Sequence, residues 1–270
     1  LANIQKIDFQ QKLVAKKDMP LLGKQVLFTS PRHYGGNLAK CLTERGARPL
    51  WMPTIAIYPL DDYGELDEAI GQLDTYDWVA ITSLMGSQAF VNRMRAAGFG
   101  PKDLRGAKLT AFGPDAIPLD EAGYNVDLKP KVNYPSVMIE EMNAIGPKGA
   151  RVLVPVPVVQ GVAEPFVIPE FINGLKEVGM APIRVPGYRT EATGDNNSVA
   201  RDALDRGDVD ITVFTSSAEI FSLVKALDGK VDAINRTTVA YMGGYTAKTG
   251  RKAGFNVDII PEQYDMEGVL

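Results

Sequence analysis

The stretches DWVAITSLMGSQAF (Asp77–Phe90) and DITVFTSSAEIF (Asp210–Phe221) repeat one pattern: an aspartate, an apolar run, a Thr-Ser pair and the start of a helical spacing. Thr82-Ser83 falls on Thr215-Ser216 at a separation of 133 residues, as Gly46 falls on Gly179. Lys108–Pro130 parallels Thr238–Pro261, with Gly113 on Gly243 and Asn125-Val126-Asp127 on Asn256-Val257-Asp258. Upstream, VLFTSP (Val26–Pro31) faces VLVPVP (Val152–Pro157). Separations that drift between 126 and 133 are what loop insertions produce, so the chain holds two copies of a unit of about 130 residues. That period is a duplication and not a solenoid, whose repeats run to about 20–50 residues.

Within a copy the periodicities alternate. Val26–Thr29 reads as a short strand, and Asn37–Arg45 places Leu38, Cys41 and Leu42 on one helical face, closed at Gly46. Ile168, Phe171, Ile172, Leu175 and Val178 repeat that face before Gly179. A Pro-flanked extended segment follows, RPLWMPTIAIYP or APIRVPGYRTEA. Then come a strand ending in Thr-Ser, a helix, a strand ending in glycine, a short helix closed by Gly123 or Gly254, and a last strand. Alternation of this kind predicts the α/β class: two doubly wound parallel-sheet domains, which a chain of 270 residues is long enough to form.

Composition narrows the chemistry. With 29 basic and 33 acidic residues the net charge is −4, which offers no general attraction to nucleic acid or to an anionic membrane. A single cysteine, Cys41, rules out an intramolecular disulfide framework, and a single histidine, His33, leaves no metal-ligand spacing. Cys41 reads as core and His33 as an ordinary residue of the Pro/Gly-rich loop SPRHYGG. Trp51, Trp78, Phe112 and Tyr241 read as strand packing. No membrane span or signal-peptide pattern occurs, so the expectation is a soluble protein of a reducing compartment: the cytoplasm, or the plastid stroma of a photosynthetic eukaryote.

In doubly wound sheets, ligands bind beyond the carboxyl ends of the strands, where helix N-termini converge. The corners at Thr82-Ser83, Thr215-Ser216, Gly113 and Gly243 all lie at such ends, and their free amides suit carboxylates or phosphates. Four corners in two domains predict an anion-binding cleft between the domains. Ser216 with Glu219 fits a capping box. No Walker loop, G-x-G-x-x-G or G-x-S-x-G elbow is present, which argues against nucleotide-driven and triad chemistry.

The ordered set VLFTSP, VAITS, FGPDAIPLDEAG, GYRT (Gly187–Thr190), FTSSAEI and GGYTAKTGRKAG resembles the uroporphyrinogen-III synthase family over nearly all of Val26–Leu270. The resemblance implies two domains, 25–48 with 191–270 and 60–180, joined by a two-stranded ribbon of residues 49–59 and 182–190. It implies cyclisation of hydroxymethylbilane, a linear tetrapyrrole, with inversion of the last pyrrole, and no cofactor or metal. Catalysis would rest on positioning a labile substrate. By the same resemblance Tyr188 is the catalytic candidate, assisting departure of hydroxyl. Thr29, Ser30, Thr82, Ser83, Gly113, Thr215, Ser216, Ser217, Gly243, Tyr245 and Thr246 are the substrate-binding candidates.

Three positions depart from the family. Ser30 stands where relatives carry arginine; the first G-x-x-T-A block reads Gly113-Pro114-Asp115-Ala116-Ile117 and is followed by Pro118; and Glu164 lies where a basic residue is common. Residues 1–24 form a long leader with Ile4, Ile7, Leu13 and Val14 as docking residues for a protein partner, and the ends of the chain suggest trimming. Two other readings stay open on these residues. One is a weak or inactive synthase-like subunit of a larger complex, and the other is a binding protein for another small anion.

Overall fold

The computed structural model describes residues 19–193, 198–263 and 266–269, so the leader's candidate docking residues lie outside the described residues. Among these, the strands are β1 (Gln25–Phe28), β2 (Arg48–Trp51), β3 (Ile55–Tyr58), β4 (Trp78–Ile81), β5 (Lys108–Ala111), β6 (Arg151–Gln160), β7 (Ala181–Ala192), β8 (Ile211–Phe214) and β9 (Thr238–Tyr241). The helices are α1 (Arg32–Glu44), α2 (Gly64–Gly71), α3 (Leu84–Ala96), α4 (Ile117–Glu121), α5 (Pro135–Ile145), α6 (Val167–Glu177), α7 (Ser198–Arg206), α8 (Ser217–Ala226), α9 (Asp232–Asn235) and α10 (Gly244–Lys252), before a last helical turn at Met266–Val269. The chain divides into two compact units. Unit 1 takes the described residues up to Ala56 and from Thr193 onward, and unit 2 is Ile57–Ala192.

Unit 1 is built on a four-stranded sheet of order β2-β1-β8-β9. Its pairs β1–β2, β1–β8 and β8–β9 run parallel. One face packs Leu27, Phe214 and Tyr241 against Leu204, Ile220, Leu223 and Ala247, and the other packs Val26, Phe28 and Val213 against Leu38 and Leu42. Burying both faces explains why the strands are near-continuous apolar runs without alternation.

Unit 2 holds a five-stranded sheet of order β3-β7-β6-β4-β5, with β4–β5, β4–β6 and β6–β7 parallel. Val79, Ile81 and Leu109 meet Phe90, Met94 and Leu119 on one face; Trp78, Val152 and Val154 meet Met138, Phe171 and Leu175 on the other. Helices therefore cover both sides of each sheet, as the alternating periodicities predict.

The duplication is visible in matching hydrogen bonds. Asp77 accepts from the Arg151 amide at 2.8 Å and Asp210 accepts from the Gln25 amide at 2.8 Å, each tying the start of one strand to its neighbour. Asp127 and Asp258 accept from the amides of Leu109 and Val239 at 2.9 and 2.8 Å. Gly46 and Gly179 both take positive φ, 86° and 82°, the left-handed closure that glycine adopts without strain. The sheets thus correspond strand for strand, β2-β1-β8-β9 on β7-β6-β4-β5. Each unit combines half of one copy with half of the other.

Several local expectations are corrected. Helix α1 begins at Arg32, not at Asn37, and runs through Gly35-Gly36. A Cβ on Gly35 would lie 2.8 Å from the Trp51 indole, so this glycine lets the helix approach β2 rather than breaking it. His33 consequently sits in the first turn of α1, with its ring 4.5 Å from that of Tyr34. Cys41 is half-buried, while Leu38 and Leu42 carry the core face. Val178 is exposed just beyond α6. Pro118 lies in the first turn of α4, where a missing N–H costs little. Of the segments expected as a connecting ribbon, Arg48–Trp51 is a strand of unit 1's sheet, and β3 and β7 are neighbours in the five-stranded sheet. Among the described residues no helix is long and apolar enough to cross a membrane.

Candidate active site

In each sheet the chain reverses its winding direction between two central strands, β1 and β8 in unit 1 and β6 and β4 in unit 2. The crevice beyond the carboxyl ends of such a pair is the usual ligand position. The Thr-Ser corners stand at these two points, and the two units fill them differently.

In unit 1, Thr29 and Ser30 leave the end of β1 beside Thr215 and Ser216 at the end of β8. Thr29, Thr215 and Ser216 surround a carboxylate of the chain itself, that of Glu219 in the first turn of α8. Glu219 accepts from the Thr29 hydroxyl at 2.8 Å, the Thr215 amide at 3.1 Å, the Ser216 hydroxyl at 3.0 Å and the Thr215 hydroxyl in a short contact. Burial pushes its carboxyl up, and the hydrogen bonds from Thr215, Thr29 and Ser216 oppose that rise. This differs from the expected capping box: Ser216 donates to Glu219 rather than accepting from the helix, and Glu219 reaches the amide of Thr215.

The other unit 1 candidates divide by exposure. Thr29 and Ser30 are wholly buried, and Ser30 meets the Thr215 hydroxyl at 3.2 Å. Ser217 shares a buried 2.7 Å hydrogen bond with Thr249, which fastens α8 to α10, and Thr246 is buried in α10. Gly243, the residue before α10, and Tyr245 in its first turn are half-exposed.

In unit 2 the position equivalent to Glu219 is Gly86, so the corner keeps an ordinary cap: Ser83 accepts from the Gly86 amide at 3.1 Å. Tyr188 reaches the same oxygen, its hydroxyl donating to Ser83 Oγ at 3.0 Å. The register of β6 and β7 shifts between Val156 and Pro157, leaving Gly187 unpaired, and this irregularity re-aims Tyr188. Tyr188 is 8% exposed, and burial pushes its phenol up to about 12. Ser83 Oγ has both lone pairs engaged, which leaves its own proton to donate elsewhere. Thr82 and Ser83 are half-buried.

Gly113, at the end of β5, is exposed, its amide donating to Asn133 at 3.2 Å. Two residues on, the backbone carbonyl of the half-buried Asp115 accepts from the Ser87 hydroxyl in the first turn of α3. Loss of solvation pushes the Asp115 carboxyl up to about 7, with the Leu84 amide opposing the rise. Ser83, Leu84, Asp115 and Tyr188 thus form one cluster. Sequence reasoning passed over Asp115 and treated its block only as a lost threonine. The available signal was a lone carboxylate where the other copy has Tyr245.

Glu164, the acidic departure, is paired with Arg184, so a cation stands beside it. Both line a shallow groove of about 320 Å³ with Val156, Pro157, Val158, Val159 and Pro186. Neither Ser83 nor Tyr188 is part of that lining.

Residues 36–270 match the family described as uroporphyrinogen-III synthase HemD. A porphyrin biosynthesis protein HemD of Ruminiclostridium josui is 24% identical over 86% of this chain, and the chain spans 45% of that relative's length. A uroporphyrinogen-III synthase of Synechococcus elongatus is 26% identical, over 94% of this chain and 95% of its own. Among solved structures, a mutant uroporphyrinogen III synthase of the extremely thermophilic bacterium Thermus thermophilus superposes with a TM-score of 0.61 at 21% identity, covering 91% of this chain and 96% of that one, which supports a shared fold.

Proposed function

Because the chain belongs to the uroporphyrinogen-III synthase family, we propose that it cyclises hydroxymethylbilane with inversion of the last pyrrole and loss of water, without a cofactor. What carries the reading beyond the family is the Ser83 hydroxyl. It is oriented by Tyr188 and by the Gly86 amide, and its remaining proton is available to an acceptor. A substrate that readily loses hydroxyl needs donors to steady the departing oxygen and amides to hold its carboxylates, and the first turn of a helix offers both.

On this reading the half-exposed or exposed groups Thr82, Ser83, Gly113, Ser216, Gly243 and Tyr245 contact substrate. The buried Thr29, Ser30, Ser217 and Thr246 shape the corners from behind, and Thr215 serves the same end through Glu219. Tyr188 acts through Ser83, because its single proton is already directed there. No negative charge need be accommodated at Glu164, since Arg184 neutralises it.

The test is product analysis. The protein is given fresh hydroxymethylbilane, the products are oxidised and the isomers resolved. A type-III majority supports the synthase. Type I alone, the product of unaided closure, would replace it with the reading of an inactive synthase-like subunit.

A further inference from the structure

We propose that the groove at the far end of β6 holds one pyrrole ring of the substrate, with Arg184 taking a carboxylate side chain of that ring and Glu164 taking its N–H; the inference rests on the synthase reading above. β6 runs ten residues, whereas β1, its counterpart in unit 1, runs four. Val152, Val154 and Val156 are covered by Phe171 and Leu175 of α6. Beyond Val156 the strand goes on with Pro157, Val158 and Val159, all apolar and all half-exposed. Strands of a parallel sheet stay apolar where both faces are covered, so an apolar run that continues past its helix is a surface without its cover. With Pro186 of β7 these residues floor the groove of about 320 Å³.

The volume and the rim select the occupant. A volume of about 300 Å³ is the lower bound of small-molecule sites, which suits one substituted ring and not a helix. At the rim Arg184 meets Glu164 in a two-pronged contact, one prong short and the other, from Nη1 to Oε2, stretched to 3.4 Å. The two side chains are 40% and 33% exposed, and a pair so open to water adds little to stability and separates readily. A ligand that is only an anion would meet the Glu164 charge, and one that is only a donor would leave Arg184 without a partner. A ring that carries both an N–H and a carboxylate answers both groups, while its flat apolar face matches Pro157 and Val158. Each pyrrole of hydroxymethylbilane has this make-up.

The groove also adjoins the corner at Ser83. Pro157 is the register partner of Tyr188, and Val156 that of Pro186. Pro155, the residue before the groove, brings its carbonyl to 3.6 Å from the place a Cβ on Gly86 would take in the first turn of α3. Val185, between Arg184 and Pro186, packs with Phe90 of α3, whereas Val156 packs with Phe171 of α6. The corner and the groove therefore flank the end of β6 from its two faces, and a substrate of linked rings has access to both.

The experiment titrates the full chain with a single pyrrole bearing one acetate and one propionate side chain, with its N-methyl derivative and with its dimethyl ester, while NMR follows the methyl signals of Val158 and Val159. The diacid pyrrole is expected to shift both signals saturably, and N-methylation or esterification is expected to weaken binding about fivefold or more. Arg184→Met is expected to abolish the preference for the acid over the ester, and Glu164→Met the preference for N–H over N-methyl. Both variants are expected to unfold at the parental temperature, since the pair is exposed. In type-III formation, Arg184→Met is expected to raise KM about fivefold to tenfold with a smaller change in kcat, the mark of a binding contact away from the reacting carbon. Preferences that persist in both variants, the absence of a saturable shift at Val158 and Val159, or a parental KM in Arg184→Met overturns the groove assignment and leaves the synthase reading intact. A parent that makes only type I overturns the synthase reading, and the NMR titration then decides separately whether the groove takes the ring.

Discussion

Replacing Glu219 tests whether the unit 1 corner is held together by its internal carboxylate. The side chain is wholly buried, and its two oxygens receive three hydroxyls and the Thr215 amide. In Glu219→Ala the Thr215 amide loses its acceptor, at about 1–3 kcal/mol for a buried donor left unmet. The missing atoms leave a cavity worth about 1 kcal/mol more. The Thr29 hydroxyl, also wholly buried, loses its acceptor and adds about 1 kcal/mol. The sum is about 3–5 kcal/mol.

Glu219→Gln keeps the volume and one good acceptor, and the hydroxyls can turn to receive the amide, so about 1 kcal/mol is expected. The two tryptophans fall one in each unit, Trp51 in unit 1 and Trp78 in unit 2. In a Trp78→Phe background, fluorescence during urea unfolding therefore reports unit 1. Trp51 is well placed for this, since its indole N–H donates to the Ser30 carbonyl at 2.8 Å. The folded carboxyl is raised above its unfolded value, so its stability contribution is fullest at acid pH and declines as pH rises through the folded value. The advantage of the parent over Glu219→Gln should therefore shrink toward neutral pH. An alanine variant within about 0.5 kcal/mol of the parent, or equal costs for alanine and glutamine, would refute the account of the corner.

Other substitutions probe other links. Gly250→Ala would set a Cβ 2.2 Å from the Tyr241 hydroxyl and 2.5 Å from its ring, so a loss of about 1–3 kcal/mol is expected in thermal or urea unfolding. Tyr188→Phe should leave the fold intact, by circular dichroism, and slow type-III formation severalfold by releasing Ser83; an unchanged rate removes Tyr188 from the mechanism. The Asp210 carboxyl is held below its usual range by the Gln25 amide first and then by Lys24, so it stabilises the fold above the ordinary carboxylate range and that contribution is lost as pH falls through the folded value. Asp210→Asn should therefore unfold with less dependence on acid, and an identical acid profile would count against this assignment.

What could be read from the chain alone follows the distance over which each interaction acts. Strand and helix alternation, the glycine closures and the duplication are local or repeated patterns, and Asp77 with Asp210 and Asp127 with Asp258 announce matching roles by matching position. Helix α1 is harder, since its Gly-Gly pair reads as a break until Trp51, on the next strand, is seen filling the space a side chain would need. The site is hardest. Tyr188 and Ser83 lie 105 residues apart, and Thr29 and Glu219 lie 190 apart. The hydroxyl pattern at the two corners is the same in sequence, yet one holds its own carboxylate and the other does not. That difference turns on Glu219 against Gly86, which periodicity cannot weigh.

The exchange of halves between the two copies constrains any simpler forerunner. Because β4-β5 corresponds to β8-β9, a lone copy carrying β1, β2, β4 and β5 holds one of each strand type and could close a sheet β2-β1-β4-β5 of its own. Two such copies joined end to end could then exchange their second strand pairs, and the present chain keeps that exchange: β8-β9 stands beside β1 in one sheet and β4-β5 beside β6 in the other.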